Sequence, residues 1–317
     1  MNRARLTFLG TGTSQGVPII GCRCEKCTST DPRDKRFRSS VLVEYCGMTI
    51  LVDAGPDFRS QMIAAGVTHL DAILLTHNHK DHTGGLDDVR ALNYIDRKVV
   101  HIYCEDYVLN SLKTEYAYAF TREKYPGAPE WAVHRIGTEP FVIYPMDRNR
   151  DLVWVRNEGY RYQLEDGSLV PTDSEPDFAE KVPDPGLSGN MAGKRGNGVE
   201  IIPVRGWHDT LPVLGFRFGD IAYLTDMSSL PEEELAKLRG LRHITLNTVG
   251  YRPHHSHFSL DQALELADRI GAENTWLTHL SHSFPVHAQF CEELDRLCRE
   301  RSIRSRVRPA WDGLVIG

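Results

Sequence analysis

The most constraining feature of the sequence is the segment His77-Asn78-His79-Lys80-Asp81-His82, which packs three histidines and one aspartate into six residues. It follows the apolar residues 71–76, which are predicted to form a strand. Imidazole nitrogens and carboxylate oxygens are ligands that Zn²⁺, Mn²⁺ and Fe²⁺ accept. The first two histidines share one face of an extended chain, and the other two ligands follow around a bend that Gly84-Gly85 permits. The segment therefore predicts a metal site at a strand end, with donors for a second ion.

Composition limits the classes of partner. The chain has 317 residues, of which 41% are hydrophobic and 25% charged, which is typical of a globular protein. Its 37 Lys and Arg residues against 43 Asp and Glu residues give a net charge of −6. Nucleic-acid and anionic-membrane binders are usually basic, so neither class is expected. A small phosphorylated substrate remains compatible, because bound metals bring positive charge.

The seven cysteines point to metal binding more than to disulfides. Their number is odd and the chain is long, which argues against a secreted disulfide framework. Cys22, Cys24 and Cys27 fall within six residues, a spacing typical of metal binding in a reducing compartment. Residues 1–12 lack the apolar stretch of a signal peptide, and no run has the length of a membrane span. We therefore expect a cytoplasmic protein.

Short apolar runs alternate with amphipathic stretches along the chain, which predicts an α/β fold. The pattern predicts a hairpin around Gly47 and helices over residues 57–65, 86–94 and 231–238. We expect a single domain over residues 1–317, built from two halves. Residues 147–198 are predicted to be a loop insertion, with one hairpin (152–155 with 160–164) and a mobile remainder.

The pattern His-x-His-x-Asp-His after a strand resembles the metallo-β-lactamase superfamily. Val52-Asp53-Ala54-Gly55 is similar to the strand-ending Asp-x-Gly of that superfamily. Its members carry three further ligands in fixed order, and His208, Asp226 and His279 occupy the corresponding positions. The resemblance covers most of the chain. It implies an αββα sandwich of two mixed β-sheets flanked by helices.

The same resemblance implies a binuclear metal site. One ion is expected on His77, His79 and His208, a second on Asp81, His82 and His279, and Asp226 is expected to bridge them. Two ions about 3.5–4 Å apart can share a water, lower its pKa and stabilise the oxygens of a displacement. Mn²⁺, Zn²⁺ and Fe²⁺ all suit these ligands, so the identity of the metals stays open. An Asp226 that only caps a turn and a His208 that is only a loop residue are the alternatives.

Residues 10–27 resemble one branch of the superfamily, which contains the phosphoribosyl cyclic phosphate phosphodiesterase of the carbon–phosphorus lyase pathway. In that branch the N-terminal cysteines and a C-terminal histidine bind a structural zinc, and the matching residues are Cys22, Cys24, Cys27 and His282. Four protein ligands close a tetrahedral Zn²⁺ site and leave no position for a substrate. Free or redox-active thiols are the alternative. The branch also suggests a homodimer.

The loop His254-His255-Ser256-His257 precedes a predicted helix, where the family has a catalytic histidine that His257 matches. Histidine titrates near neutrality, so His257 is expected to protonate the leaving alkoxide. His257 and the ligand Asp81 are the predicted catalytic residues, whereas His254 and His255 are expected to be solvated.

Three functions are compatible with these patterns. The first is a metal-dependent phosphodiesterase that hydrolyses a small, cyclic phosphodiester by metal-activated hydroxide. The second is an RNA-processing nuclease of the same fold. Residues 147–198 contain ten acids and seven bases, so their net charge is negative, whereas a segment that binds RNA phosphates is expected to be positive. The third is a non-hydrolytic coenzyme-biosynthesis protein with a similar cysteine-bound zinc. The natural substrate and the pathway stay open.

Overall fold

The computed structural model describes residues 3–96, 99–121, 124–143 and 198–317, together with the backbone of three strands between them. The strands are β1 (Arg5–Gly10), β2 (Ser40–Tyr45), β3 (Met48–Val52), β4 (Ala72–Leu74), β5 (Val100–Cys104), β6 (Trp131–Arg135), β7 (Phe141–Ile143), β8 (Leu152–Val155), β9 (Gly159–Gln163), β10 (Leu169–Pro171), β11 (Val199–His208), β12 (Leu211–Phe218), β13 (Ile221–Tyr223), β14 (His243–Asn247), β15 (Asn274–Thr278), β16 (Arg306–Pro309) and β17 (Val315–Ile316).

The α-helices in the same described part are α1 (Glu25–Thr28), α2 (Phe58–Ala65), α3 (Lys80–Thr83), α4 (Arg90–Asp96), α5 (Asp106–Glu115), α6 (Leu260–Ile270) and α7 (His287–Glu300). Short 3₁₀ helices lie at Pro32–Asp34, Leu86–Val89, Ala117–Ala119 and Glu232–Leu238. Among the described helices, none has the length and apolar character that a membrane crossing requires.

Two seven-stranded mixed sheets form the centre of the fold, with the orders β17-β1-β2-β3-β4-β5-β6 and β7-β11-β12-β13-β14-β15-β16. In each order the first three pairings are antiparallel and the last three are parallel. The two sheets therefore share one strand pattern. Each presents the carboxyl ends of parallel strands, from which loops can carry functional side chains.

The main core lies between the inner faces of the two sheets. Alternation along β1 sends Leu6 and Phe8 into this core, while Arg5 points out to solvent. From the second sheet Phe216 and Tyr223 enter the same cluster, fully buried. Burial of each such side chain stabilises the fold by about 1.5–3 kcal/mol. The inner-face packing fixes the relative position of the two sheets and of the loops at their ends.

Helices cover the outer faces. Phe58 of α2 and Val108 of α5 pack on the first sheet. Leu264 of α6 and Phe290 of α7 pack on the second. Helix α6 begins at a capping box, in which the Ser259 side chain and backbone both bond Gln262. The layers follow the order helix, sheet, sheet, helix, which confirms the predicted αββα sandwich.

Local predictions have mixed outcomes. The hairpin around Gly47 is confirmed by the pairing of β2 with β3, and α2 matches the helix predicted over residues 57–65. The helix predicted over residues 86–94 is a 3₁₀ turn followed by α4, and residues 231–238 form a 3₁₀ helix instead of an α-helix. Both segments are short connections, where tighter i→i+3 bonding is common.

The predicted insertion contains more strand than expected. Strands β8 and β9 pair antiparallel, which confirms the predicted hairpin. Strand β10 adds to β9, where the sequence pattern indicated a mobile stretch. The other residues of the predicted insertion, up to residue 197, lie outside the described residues.

Candidate metal centre

The predicted ligands converge because the segments that carry them end at the same edge of the two sheets. His77 follows β4 by three residues, Asp226 follows β13 by three, and His279 directly follows β15. Asp53, Asp226 and His279 have positive φ angles of 63°, 56° and 56°. Side-chain-bearing residues adopt this left-handed conformation at an energetic cost, and such strain concentrates at functional sites.

Asp226 lies at the centre of the cluster. Its Oδ2 is 3.2 Å from His82 Nε2 and 3.9 Å from His77 Nε2, and its Oδ1 is 2.9 Å from His279 Nδ1. Three groups of donor atoms include Asp226, and within each group the atoms lie within 4.8 Å of one another: Asp226 with His77 and His82, with His208 and His257, and with Asp81 and His279. A carboxylate that belongs to all three groups fits the predicted role of a bridging ligand.

His82 has one ring nitrogen paired and one directed at carboxylates. Its Nδ1 is 2.7 Å from Asp53 Oδ2, while its Nε2 is 3.2 Å from Asp81 Oδ2. The Nε2 atoms of His82 and His77 are buried and have no hydrogen-bond partner among the described residues. Buried polar atoms are normally paired, so two orphaned imidazole nitrogens beside carboxylates fit a divalent cation.

His77, His79 and His208 form the second part of the cluster. Thr76 Oγ1 is 2.9 Å from His77 Nδ1, and the backbone oxygen of Ser256 is 2.6 Å from His208 Nδ1. These oxygens accept the Nδ1–H protons and leave each Nε2 with a free lone pair. The ring of His79 lies 4.6 Å from that of His77 and 5.0 Å from that of His208. The structure therefore brings these three predicted ligands together.

Burial and charge set the ionisation of the cluster. Burial lowers the pKa of His77 well below its ordinary value and also lowers that of His208. Burial opposes ionisation of Asp226, but His279 and His82 hold its pKa well below the usual range. Asp81 has a lowered pKa as well: burial works against the shift, and His82 outweighs it. Neutral His77 and His208 beside ionised Asp226 and Asp81 are the protonation states that metal ligation requires. His82 differs: burial lowers its pKa, but Asp226, Asp81 and Asp53 outweigh burial and raise the pKa well above its ordinary value.

The predicted general acid lies against the cluster. The ring centroid of His257 is 4.5 Å from that of His208 and 4.7 Å from that of His279. Burial, followed by the nearby His279, lowers the pKa of His257 to about 2. His254 and His255 are exposed and stack on each other at 4.5 Å, as expected for solvated residues.

The predicted zinc ligands meet in a second, separate cluster. His282 Nδ1 lies 3.2 Å from Cys22 Sγ and 3.6 Å from both Cys24 Sγ and Cys27 Sγ. The backbone N–H of Cys27 is the main cause of a Cys24 pKa lowered to about 7. One nitrogen surrounded by three sulfurs is a closed four-donor arrangement, which fits a structural Zn²⁺.

Sequence reasoning missed the residues behind the histidines. The sequence marks Asp53 only as part of a strand-ending motif, yet Asp53 pairs with His82 and also accepts a hydrogen bond from the Thr76 backbone N–H at 2.9 Å. Ser39 Oγ lies 3.1 Å from His279 Nδ1, although the two residues are 240 positions apart. No sequence pattern marks Ser39 beyond a polar residue beside the start of β2.

Comparison with known proteins gives three similarities and one matching family. The sequence family described as the β-lactamase superfamily domain matches this chain at residues 48–147 and 191–280. The solved structure of a new diphosphatase from the PhnP family is 32% identical, with a TM-score of 0.73, over 99% of this chain and 98% of that chain.

Two curated relatives extend the range of activities. An octanoyltransferase of Porphyromonas gingivalis (strain ATCC BAA-308 / W83) is 34% identical over 292 residues, which are 92% of this chain but 48% of that protein. This chain thus spans about half of that relative's length. Ribonuclease Z of Chlamydia trachomatis serovar D is 25% identical over 299 residues, or 88% of this chain and 91% of that protein.

Proposed function

Because this chain belongs to the β-lactamase superfamily and, within it, to the PhnP family, we propose that it is a metal-dependent hydrolase that cleaves a small phosphodiester. The observation that carries the proposal is the cluster of histidines and carboxylates around Asp226. This donor set suits two divalent ions, either Mn²⁺, Zn²⁺ or Fe²⁺.

We propose that the residues divide into two sets of donors that share one carboxylate. We propose that His77, His79 and His208 hold one ion, that Asp81, His82 and His279 hold the other, and that Asp226 contacts both. When bound, two such ions supply an activated water and charge stabilisation for a displacement at phosphorus. The protein's own contribution is to orient the rings: Asp53 holds His82, and the Ser256 carbonyl holds His208.

His257 is the group that we propose to protonate the leaving oxygen. It stands against rings from both donor sets, so a substrate bound between the ions would lie beside it. Burial keeps His257 neutral in the free protein. The negative charge of a bound phosphodiester favours the protonated imidazole, so substrate binding and proton uptake by His257 support each other.

The substrate that we favour is a small, cyclic phosphodiester. A diphosphate ester is chemically close, because its cleavage is also a displacement at a phosphorus with two substituted oxygens, one an ester and one an anhydride oxygen. The PhnP-family structure is described as a diphosphatase. The net charge of −6 favours a small molecule over a polyanion that needs many cationic contacts.

An RNA-processing nuclease is the second candidate. It is supported by the likeness to ribonuclease Z over most of both chains. It is disfavoured by the acidic balance of the chain, since RNA-gripping surfaces are basic.

The test is a comparison of substrates on metal-loaded protein: bis-p-nitrophenyl phosphate, a 2′,3′-cyclic nucleotide, a dinucleoside diphosphate and a precursor tRNA. We expect metal-dependent turnover of the first two. An Asp226→Asn variant, which keeps the size of the side chain and removes its charge, should lose at least about 100-fold in kcat.

A protein with its full metal content that cleaves neither of the first two substrates contradicts the proposal. Cleavage of the dinucleoside diphosphate alone would make the protein a diphosphatase. Cleavage of the tRNA alone would favour the nuclease.

A further inference from the structure

The side chains of two consecutive buried serines have different hydrogen-bond partners where β2 begins. Ser39 and Ser40 are each 1% exposed. Ser39 Oγ lies 3.0 Å from the backbone oxygen of Gly12 and 3.1 Å from His279 Nδ1. Ser40 Oγ instead donates to the backbone oxygen of Asp53 at 2.9 Å. Only the first hydroxyl therefore touches a predicted metal ligand.

The proton count at Ser39 fixes the proton at His279. A hydroxyl has one proton to donate and two lone pairs that accept. The Gly12 carbonyl can only accept, so Ser39 gives its proton to Gly12 and accepts from His279 Nδ1–H. Asp226 Oδ1, 2.9 Å from the same nitrogen, is also an acceptor and agrees with this assignment. His279 is thus held with a proton on Nδ1 and a free lone pair on Nε2.

The residues around His279 also hold its backbone in place. His279 has a left-handed backbone conformation, with φ of 56°. The next residue, Leu280, donates its N–H to Thr11 O at 2.8 Å, beside the Gly12 carbonyl that Ser39 binds. Hydrogen bonds to Thr11 and Ser39 therefore hold both the backbone next to His279 and the His279 ring.

We propose that Ser39 is a positioning residue that fixes the tautomer and ring orientation of His279, and so sets the affinity of the ion held by Asp81, His82 and His279. This inference rests on the proposed two-metal function. In the described part of the chain no hydrogen bond joins Ser39 to His77, His79 or His208. The effect is therefore selective for one of the two ions.

The test is the metal content and metal affinity of Ser39→Ala in the full chain, with Ser40→Ala as the matched control. Both variants remove one buried strand-start hydroxyl. Mn²⁺-loaded proteins are dialysed against chelators of graded strength and the ions per chain are counted by mass spectrometry. Loss of an oxygen that orients a ligating histidine weakens metal affinity by about 10- to 100-fold.

We expect Ser39→Ala to lose one Mn²⁺ at a chelator strength at which the wild type and Ser40→Ala keep both, and Ser39→Thr, which retains a hydroxyl, to keep both. Thermal unfolding of the metal-free proteins separates this effect from general destabilisation. The proposal is overturned if Ser39→Ala keeps both ions, if it loses both together, or if Ser40→Ala behaves in the same way. The count of ions does not depend on turnover, so failure of the proposed activity would leave this result readable.

Discussion

At the scale of single residues, four of the histidines share one arrangement. An oxygen stands against Nδ1 of each: Thr76 for His77, Asp53 for His82, the Ser256 carbonyl for His208 and Ser39 for His279. With Nδ1 engaged in this way, Nε2 is the nitrogen left to bind a metal. The rings are therefore oriented by the protein itself, before any ion binds.

The first prediction concerns His257. Removal of a general acid lowers kcat by about 10²- to 10⁴-fold. A His257→Ala variant should show this loss on a 2′,3′-cyclic nucleotide, whose leaving alkoxide needs a proton. It should lose much less on bis-p-nitrophenyl phosphate, because p-nitrophenolate leaves without one. Steady-state kinetics on the two substrates gives the comparison.

His255→Ala is the matched control, because His255 is an exposed histidine of the same loop. It should keep near-wild-type kcat on both substrates. Equal losses of His257→Ala on both substrates, or loss of bound metal in that variant, would show that His257 acts as a ligand or a support and not as an acid.

The sequence predicts candidate site residues only where they form a pattern. His77 to His82 stand together, and His208, Asp226 and His279 follow in a recognisable order. The structure brings all of these side chains together. Ser39 and the Ser256 carbonyl carry no local signal, because their partners lie 240 and 48 positions away and only the folded sheets bring them close.

At the scale of elements, the site depends on loops at the ends of parallel strands. Both sheets have the same succession of three antiparallel and three parallel pairings. The sequence shows no internal repeat, because two sheets can have the same strand pairing without similar side chains. Asp53 follows β3 and Asp226 follows β13, which occupy the same position in the two sheets, and both residues have a positive φ.

The second prediction concerns the ion pairs that join α4 to the start of β4. His69 Nδ1 is 2.6 Å from Asp96 and its Nε2 is 3.1 Å from Asp71. Asp71, with further help from Asp96, raises the pKa of His69 above its ordinary value. A raised folded-state pKa contributes stability that is present below the unfolded value and lost as pH rises through the folded value.

A His69→Gln variant should therefore differ from the wild type most at about pH 6, by roughly 1 kcal/mol in unfolding free energy for a partly exposed pair. The difference should shrink as the pH rises past the folded pKa. Urea unfolding of the metal-free proteins between about pH 5.5 and 8.5 measures it. Asp96→Asn should show part of the same loss, and a gap that widens with pH would contradict the assignment.

The sequence predicts helices correctly where the hydrophobic periodicity and the capping residues agree. Gly66 ends α2 with a φ of 64°, and Ser259 caps α6, as their residue types indicate. The sequence pattern does not predict helix α5, because its apolar residues are interspersed with Asn, Ser and Thr, which are weak helix formers. Its burial against the first sheet, through Val108, decides its structure.

At the scale of the whole molecule, the cysteine cluster joins the segment before α1 and α1 itself to the loop after β15. Cys22, Cys24 and Cys27 meet His282, which is three residues after the ligand His279. A buried ion pair between Lys26 and Asp34, 2.7 Å apart, adjoins this junction, and Lys26 also donates to the Pro285 carbonyl at 2.7 Å. The junction holds the N-terminal segment against the strand end that carries His279.

The third prediction is that a Cys27→Ser variant loses one metal ion of three and keeps the two around Asp226. Loss of a structural ion should lower the thermal unfolding midpoint by roughly 5 °C or more. Cys298→Ser is the matched control, since Cys298 is a half-buried cysteine outside both clusters. Loss of all three ions in Cys27→Ser, or no change in ion number, would contradict a separate structural site.

The two-metal centre and the separate zinc site are tested most directly by anomalous X-ray diffraction from crystals of the metal-loaded protein. We expect two peaks about 3.5–4 Å apart beside the Asp226 carboxylate, and a third among Cys22, Cys24, Cys27 and His282. A single peak at Asp226, or ions bound away from His77, His82 and His279, would contradict this expectation.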